Sequence, residues 1–126
     1  MSGERFLLDT NAIVALLQGR PSLVQMLAKA TWIGISVISQ LEFLAFRNLS
    51  AADQSYFSDF LKEIEVVGLS DQHPDLLELI VQIRAQTHLK LPDAIIAGTA
   101  QHADAVLVTA DAHLHNVPGI NIAVFD

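Results

Sequence analysis

The chain contains no cysteine. Disulfides and thiolate metal sites are therefore excluded, a pattern that fits the cytoplasm. Basic residues are few. Only Arg5, Arg20, Lys29, Arg47, Lys62, Arg84 and Lys90 stand against 14 acids, for a net charge of -7. A whole-chain basic footprint for nucleic acid is absent, so such a substrate would need a few of these cations plus bound metal, or a basic partner could meet the acidic surface. No apolar run approaches the ~18 residues of a membrane span. The first strand is reached by Phe6, which leaves no room for a secretory signal. There is no repeat, low-complexity stretch or linker, and 126 residues suggest one domain over 1–126.

Apolar content is high, at 52% with mean hydropathy +0.41. Such an excess points to an oligomer or a protein partner, or to a helix-rich core with little loop. Arg5–Leu8 reads as a buried strand. Helices are expected from Asn11 to Gln18 and from Pro21 to about Ala30. A second strand should cover Gly34–Ile38, with a helix from Ser39 to about Asn48. Ser50–Asp53 opens another helix, with Phe57, Phe60, Leu61 and Ile64 on one face. Val66–Leu69 reads as a short strand. A long helix starting at Ser70–Asp71 carries Leu76, Leu77, Ile80, Val81 and Ile83, an arc wide enough to be buried or to meet a partner. Pro92 starts another helix, and Ala105–Thr109 and Asn121–Phe125 are the last strands. Alternating strands and helices argue for an α/β fold, a parallel sheet with helices on both faces.

Four carboxylates punctuate this pattern. Asp9 closes the first strand, Glu42 lies one turn into the helix after the second, Asp93 sits at a helix start, and Asp111 follows the fourth strand. Ligand sites in parallel sheets lie outside the carboxyl ends of the strands, where these acids can converge. At ~4 Å and an effective dielectric near 20, each like-charged pair costs roughly 4 kcal/mol. Such a cluster sheds protons or binds a divalent cation. Each acid also has a local explanation. Asp9 is a favoured N-cap. Ser39-Gln40-Leu41-Glu42 fits a capping box, which taken alone is the better account of Glu42. Asp93 suits a helix dipole and Asp111 a turn. Local capping does not require all four to share one edge, whereas most of the other acids, such as Asp59, Glu63, Asp75 and Glu78, fall on polar helix faces.

Leu7-Leu8-Asp9-Thr10-Asn11-Ala12 resembles the opening motif of PIN domains. Ile38-Ser39-Gln40-Leu41-Glu42-Phe43 resembles the second motif, Leu91-Pro92-Asp93-Ala94-Ile95-Ile96-Ala97 the third, and Leu107-Val108-Thr109-Ala110-Asp111 the fourth. Order and spacing agree along the whole chain, and the compact length is similar to that of VapC-type toxins. The resemblance implies a five-stranded parallel sheet flanked by helices and a magnesium- or manganese-dependent endoribonuclease that leaves a 3′-hydroxyl and a 5′-phosphate. It also implies a homodimer and inhibition by a cognate antitoxin. By matching motifs, Asp9, Glu42, Asp93 and Asp111 become the acidic site. Asp9 and Asp93 would be the principal metal ligands, with Asn11 and Thr109 as supporting polar residues. Lys90, and after it Arg84, could meet the RNA backbone. Leu114 departs from the family, where an aromatic often follows the last acid; the expected effect is on packing.

The same residues admit competing readings. His113 and His115 beside Asp111, or His88, could supply acid–base or zinc chemistry, but a short turn-like segment suits surface histidines. His73 and His102 have no evident role. A phosphoacceptor module would need a lysine after Lys90, and a haloacid-dehalogenase-like phosphatase an acid at Asn11. The alternative from another class is a non-catalytic PIN-like binding partner with an inert acidic cluster.

Overall fold

A computed structural model describes residues 4–125; the ends of the expected 1–126 domain lie outside the described residues. The elements run β1 (Glu4–Leu8), α1 (Thr10–Leu17), α2 (Pro21–Leu27), β2 (Ala30–Ser36), α3 (Val37–Leu44), α4 (Ala51–Leu61), β3 (Glu65–Val67), α5 (Pro74–Gln86), α6 (Leu91–His102), β4 (Val106–Thr109), a 3₁₀ turn (Ala112–Asn116) and β5 (Ile122–Val124). The strands form one five-stranded sheet in the order β3-β2-β1-β4-β5. Every neighbouring pair is parallel. The α/β architecture is the expected one. No helix among the described residues is long and apolar enough to cross a membrane.

Strand alternation distributes the core between the two faces of the sheet. Leu7 and Leu107 pack with Leu76, Ile80, Ile83 and the apolar side of α6. Phe6, Leu8 and Val108 pack on the other side with Ile13, Leu23, Phe43 and Phe57. Phe43 and Phe57 stack with centroids 4.1 Å apart, which ties α4 to α3. Gly98 lets α5 close on α6, since a Cβ there would stand 2.8 Å from Ile80 Cγ1. Leu114 is fully buried in the α5–α6 side of the core.

The chain winds outward from β1 through β2 to β3, then returns to place β4 on the other flank of β1. The carboxyl ends of β1 and β4 thus border the crevice where winding reverses, the place where such sheets accept ligands.

Several boundaries differ from expectation: α2 ends at Leu27, not about Ala30, α3 at Leu44, not about Asn48, and β3 is Glu65–Val67, not Val66–Leu69. Strand β2 is Ala30–Ser36, not Gly34–Ile38, and α3 begins at Val37, not Ser39. Ser36 pairs with Val67 in the ladder, and its hydroxyl then caps α3 by accepting from the Ile38 N–H at 3.1 Å. Val37 and Ile38 have strand propensity, but tertiary pairing has ended by then. Helix α5 starts at Pro74 instead of Ser70–Asp71, because Ser70 folds a turn that receives the His73 N–H at 3.0 Å. Proline at the first helical position is the reason for the start there. Val81, expected on the apolar arc, is 67% exposed.

Candidate functional site

Asp9 ends β1 with extended backbone and caps α1, its Oδ1 accepting from the Thr10 N–H at 2.8 Å. The cap does not exhaust the side chain. Oδ2 accepts from the Thr109 hydroxyl at 2.8 Å and from Asn11 Nδ2 at 3.4 Å. Thr109 is wholly buried at the end of β4 and also accepts from the Asp111 N–H at 3.0 Å. Asn11 closes the loop, its Oδ1 accepting from the Ala110 N–H at 3.0 Å. Asp9, Asn11, Thr109 and the Asp111 backbone are therefore one bonded unit bridging β1 and β4. Asp111 Oδ1 caps the 3₁₀ turn through the His113 N–H at 3.0 Å, and His113 Nδ1 lies 3.3 Å from the same oxygen.

Glu42 corrects the capping-box expectation. With α3 starting at Val37, Glu42 is in the second turn, and Ser36 is the cap. Its Oε1 instead accepts from the Thr10 hydroxyl across the crevice at 2.6 Å. The competition between cap and site disappears, and α3 presents Glu42 toward the start of α1. Ser39 is fully buried, and its hydroxyl has no hydrogen-bond partner among the described residues.

Asp93 lies in the first turn of α6, half-buried. Burial raises its pKa first, then the negative charges of Asp111 and Glu42, against Lys90 and His113, which lower it. Burial likewise raises the Asp9 pKa. Thr109 and the Thr10 N–H oppose that rise, while Asp93 and Glu42 add to it. Glu42 acts on both perturbed acids, Asp93 acts on Asp9, and Asp111 acts on Asp93. They are not closed into a cage: among the described residues no three His, Cys, Asp or Glu side chains already gather around one ion position. Asp93 makes no side-chain hydrogen bond among the described residues, so like-charge repulsion is free to hold it apart. The donor set is oxygen only and anionic, the chemistry that suits hard divalent cations. Perturbed acids in a crevice are also the mark of a functional site.

Lys90 caps α6 by position and its charge reaches Asp93. Arg84 is otherwise engaged: Nη1 donates to the Leu89 carbonyl at 3.1 Å and braces the α5–α6 connector. Thr10 and His113 carry no assigned role in the motif reading, yet both touch a site acid. The available signal for Thr10 was its place between two site residues. For His113 it was the short spacing from Asp111.

The PIN domain family model matches residues 6–120. Among solved structures, VapBC2 from Rickettsia felis bound to a promoter DNA fragment is similar with a TM-score of 0.81 at 22% identity, covering 97% of this chain and 99% of that one. A toxin–antitoxin complex from Klebsiella pneumoniae is similar at 0.75 and 29% identity, covering 94% and 95%. DNA-bound VapBC from Salmonella typhimurium is similar at 0.74 and 23%, covering 96% and 98%. No curated protein matches the chain.

Proposed function

We propose a function from one premise: the chain belongs to the PIN domain family. Within it, this protein acts as a metal-dependent endoribonuclease, a VapC-type toxin of a type II toxin–antitoxin pair, working in the cytoplasm. The observation that carries the reading is the bonded network that joins Asp9, Asn11, Thr109 and the Asp111 backbone across the carboxyl ends of β1 and β4, with Glu42 tied to Thr10 beside it. The similarity to toxin–antitoxin complexes supports the partner, a cognate antitoxin. A homodimer accords with apolar side chains left at the surface, Val81 among them.

Asp9 and Asp93 would be the principal holders of Mg2+ or Mn2+, with Asp111 and Glu42 completing the site. When bound, the ion supplies charge neutralisation and Lewis acidity toward a phosphodiester. The protein's own part is positional. The Asp9–Thr109–Asn11 unit fixes one carboxylate rigidly. Thr10 holds Glu42 where it can accept a proton from attacking water or orient it. Lys90 adds a cation beside Asp93, where an RNA phosphate would otherwise meet only acids. Arg84 serves this contact indirectly, by bracing the loop before Lys90.

The test is cleavage of structured RNA by the purified protein with magnesium and with EDTA. The expected result is cleavage with magnesium only, and a loss of at least about 100-fold in Asp93→Asn. Equal activity with and without chelator, or full activity in that variant, would refute it.

A further inference from the structure

A cavity of about 570 Å³ lies between the α5–α6 connector and the 3₁₀ turn. These two segments lead directly to Asp93 and Asp111. His113 forms part of the cavity wall and its Nδ1 lies 3.3 Å from Asp111 Oδ1, so one side chain separates the cavity from that acid. The floor is apolar, made by Leu89 and the buried Val117. The rim carries Gln86, His88 and Asn116, all exposed. None of these three makes a side-chain hydrogen bond among the described residues. The cavity's volume is that of a small-molecule site. Thr87 shapes the wall but is spent: its hydroxyl donates to the Ile83 carbonyl at 2.7 Å and accepts from the Leu89 N–H at 3.2 Å. No local structural duty is evident for the rim groups.

We propose that this cavity seats one unpaired RNA base adjoining the scissile phosphate and gives the cleavage its base preference. Single-stranded RNA is recognised by splaying a base onto an aromatic or histidine ring and hydrogen-bonding its edge. The floor excludes water from one face of the base, and the His88 ring offers a stacking surface. The amides of Asn116 and Gln86 each present a donor and an acceptor, the pair a base edge requires. A net charge of -7 makes a base contact the more needed, since few cations hold the backbone. The assignment rests on the nuclease reading, but its test separates the two.

Adenosine, cytidine, guanosine and uridine monophosphates are titrated into the full chain and amide shifts followed by NMR. Shifts should concentrate at residues 86–90 and 113–117, with affinities differing several-fold among the four bases. The His88→Ala/Asn116→Ala variant truncates exposed side chains only. It should bind at least about fivefold more weakly, the lower end of what base–aromatic stacking contributes. Replacing His88→Ala by His88→Phe should restore most of that loss, as stacking requires and charge does not. On a randomised RNA, the double variant should still cut, with the preference flattened at one position beside the break. No response of these amides to any nucleotide at 10 mM, or unchanged binding and preference in the double variant, overturns the proposal. Absent cleavage with intact, variant-sensitive nucleotide binding would instead sink the nuclease reading and leave the base site standing.

Discussion

Removing the Thr109 hydroxyl tests whether the buried network holds the acid site together. Thr109→Val keeps the branched shape, so the perturbation is chemical. The hydroxyl is wholly buried, donates to Asp9 Oδ2 at 2.8 Å and accepts from the Asp111 N–H at 3.0 Å. A hydrogen bond to a charged group contributes roughly 1.5–3 kcal/mol, and a partly buried N–H left unpaired adds to the loss. The expected cost at pH 7.5, without divalent cations, is therefore about 2–3 kcal/mol. For a chain of 126 residues this lowers the melting temperature by roughly 8–12 °C. The pH dependence is the sharper part. The folded pKa of Asp9 is raised above 3.8, chiefly by burial, and Thr109 opposes the rise. A raised folded pKa gives stability that is full below 3.8 and lost as pH climbs through the folded value. The valine variant has a still higher folded value and loses more over that climb. Urea unfolding followed by circular dichroism at pH 4 and pH 7.5 measures both. A cost under about 0.5 kcal/mol at pH 7.5, or a cost larger at pH 4 than at 7.5, would refute the reasoning.

Five other outcomes are expected. Manganese should raise the wild-type melting temperature, by an amount worth about 2.7 kcal/mol at 100 times the Kd, and Asp93→Asn should lose most of that rise. In EDTA at neutral pH, Asp93→Asn should be at least as stable as wild type, since burial and the Asp111 and Glu42 charges already disfavour its ionised form; scanning fluorimetry reads both effects. Thr10→Val frees Glu42 from its 2.6 Å donor and should slow RNA cleavage about tenfold in kcat, with KM and melting temperature nearly unchanged. Lys90→Ala should weaken RNA binding and reduce the salt slope by about one, as for a single phosphate contact. Phe57→Ala removes the 4.1 Å stack on Phe43 and should cost about 3–5 kcal/mol in chemical denaturation.

The site was legible where chemistry and local structure coincide. Asp9 reads from sequence as both strand end and cap, and it is both. Asp111 and Thr109 read as a strand end, and the β4 ladder puts them beside β1. Glu42 was legible as a candidate acid, but its contact with Thr10 was not, because Val37 and Ile38 look like strand. Nothing local reveals that pairing with β3 stops at Ser36. That shift of two residues turns an apparent capping box into a helix whose second turn faces Thr10. Likewise the outward turn of Val81 depends on where α5 lies against α6, which periodicity alone does not fix.

The bonding pattern divides the four acids into two kinds. Asp9 and Asp111 are fastened by backbone and side-chain donors from α1, β4 and the 3₁₀ turn. Asp93 has no such donor among the described residues, and Glu42 has one, from an adjustable threonine hydroxyl. Burying Asp9 is costly, and its donors offset that cost because two of them, the Thr10 N–H and Thr109, also serve the fold. The half-free pair is where repulsion can relax in the absence of a cation and close in its presence. Substitutions in the fastened half should therefore cost stability and activity together. Those in the free half should cost activity alone. A single rigid cage would couple the two for all four acids, so the split distinguishes a site that closes on its ion from one built around it.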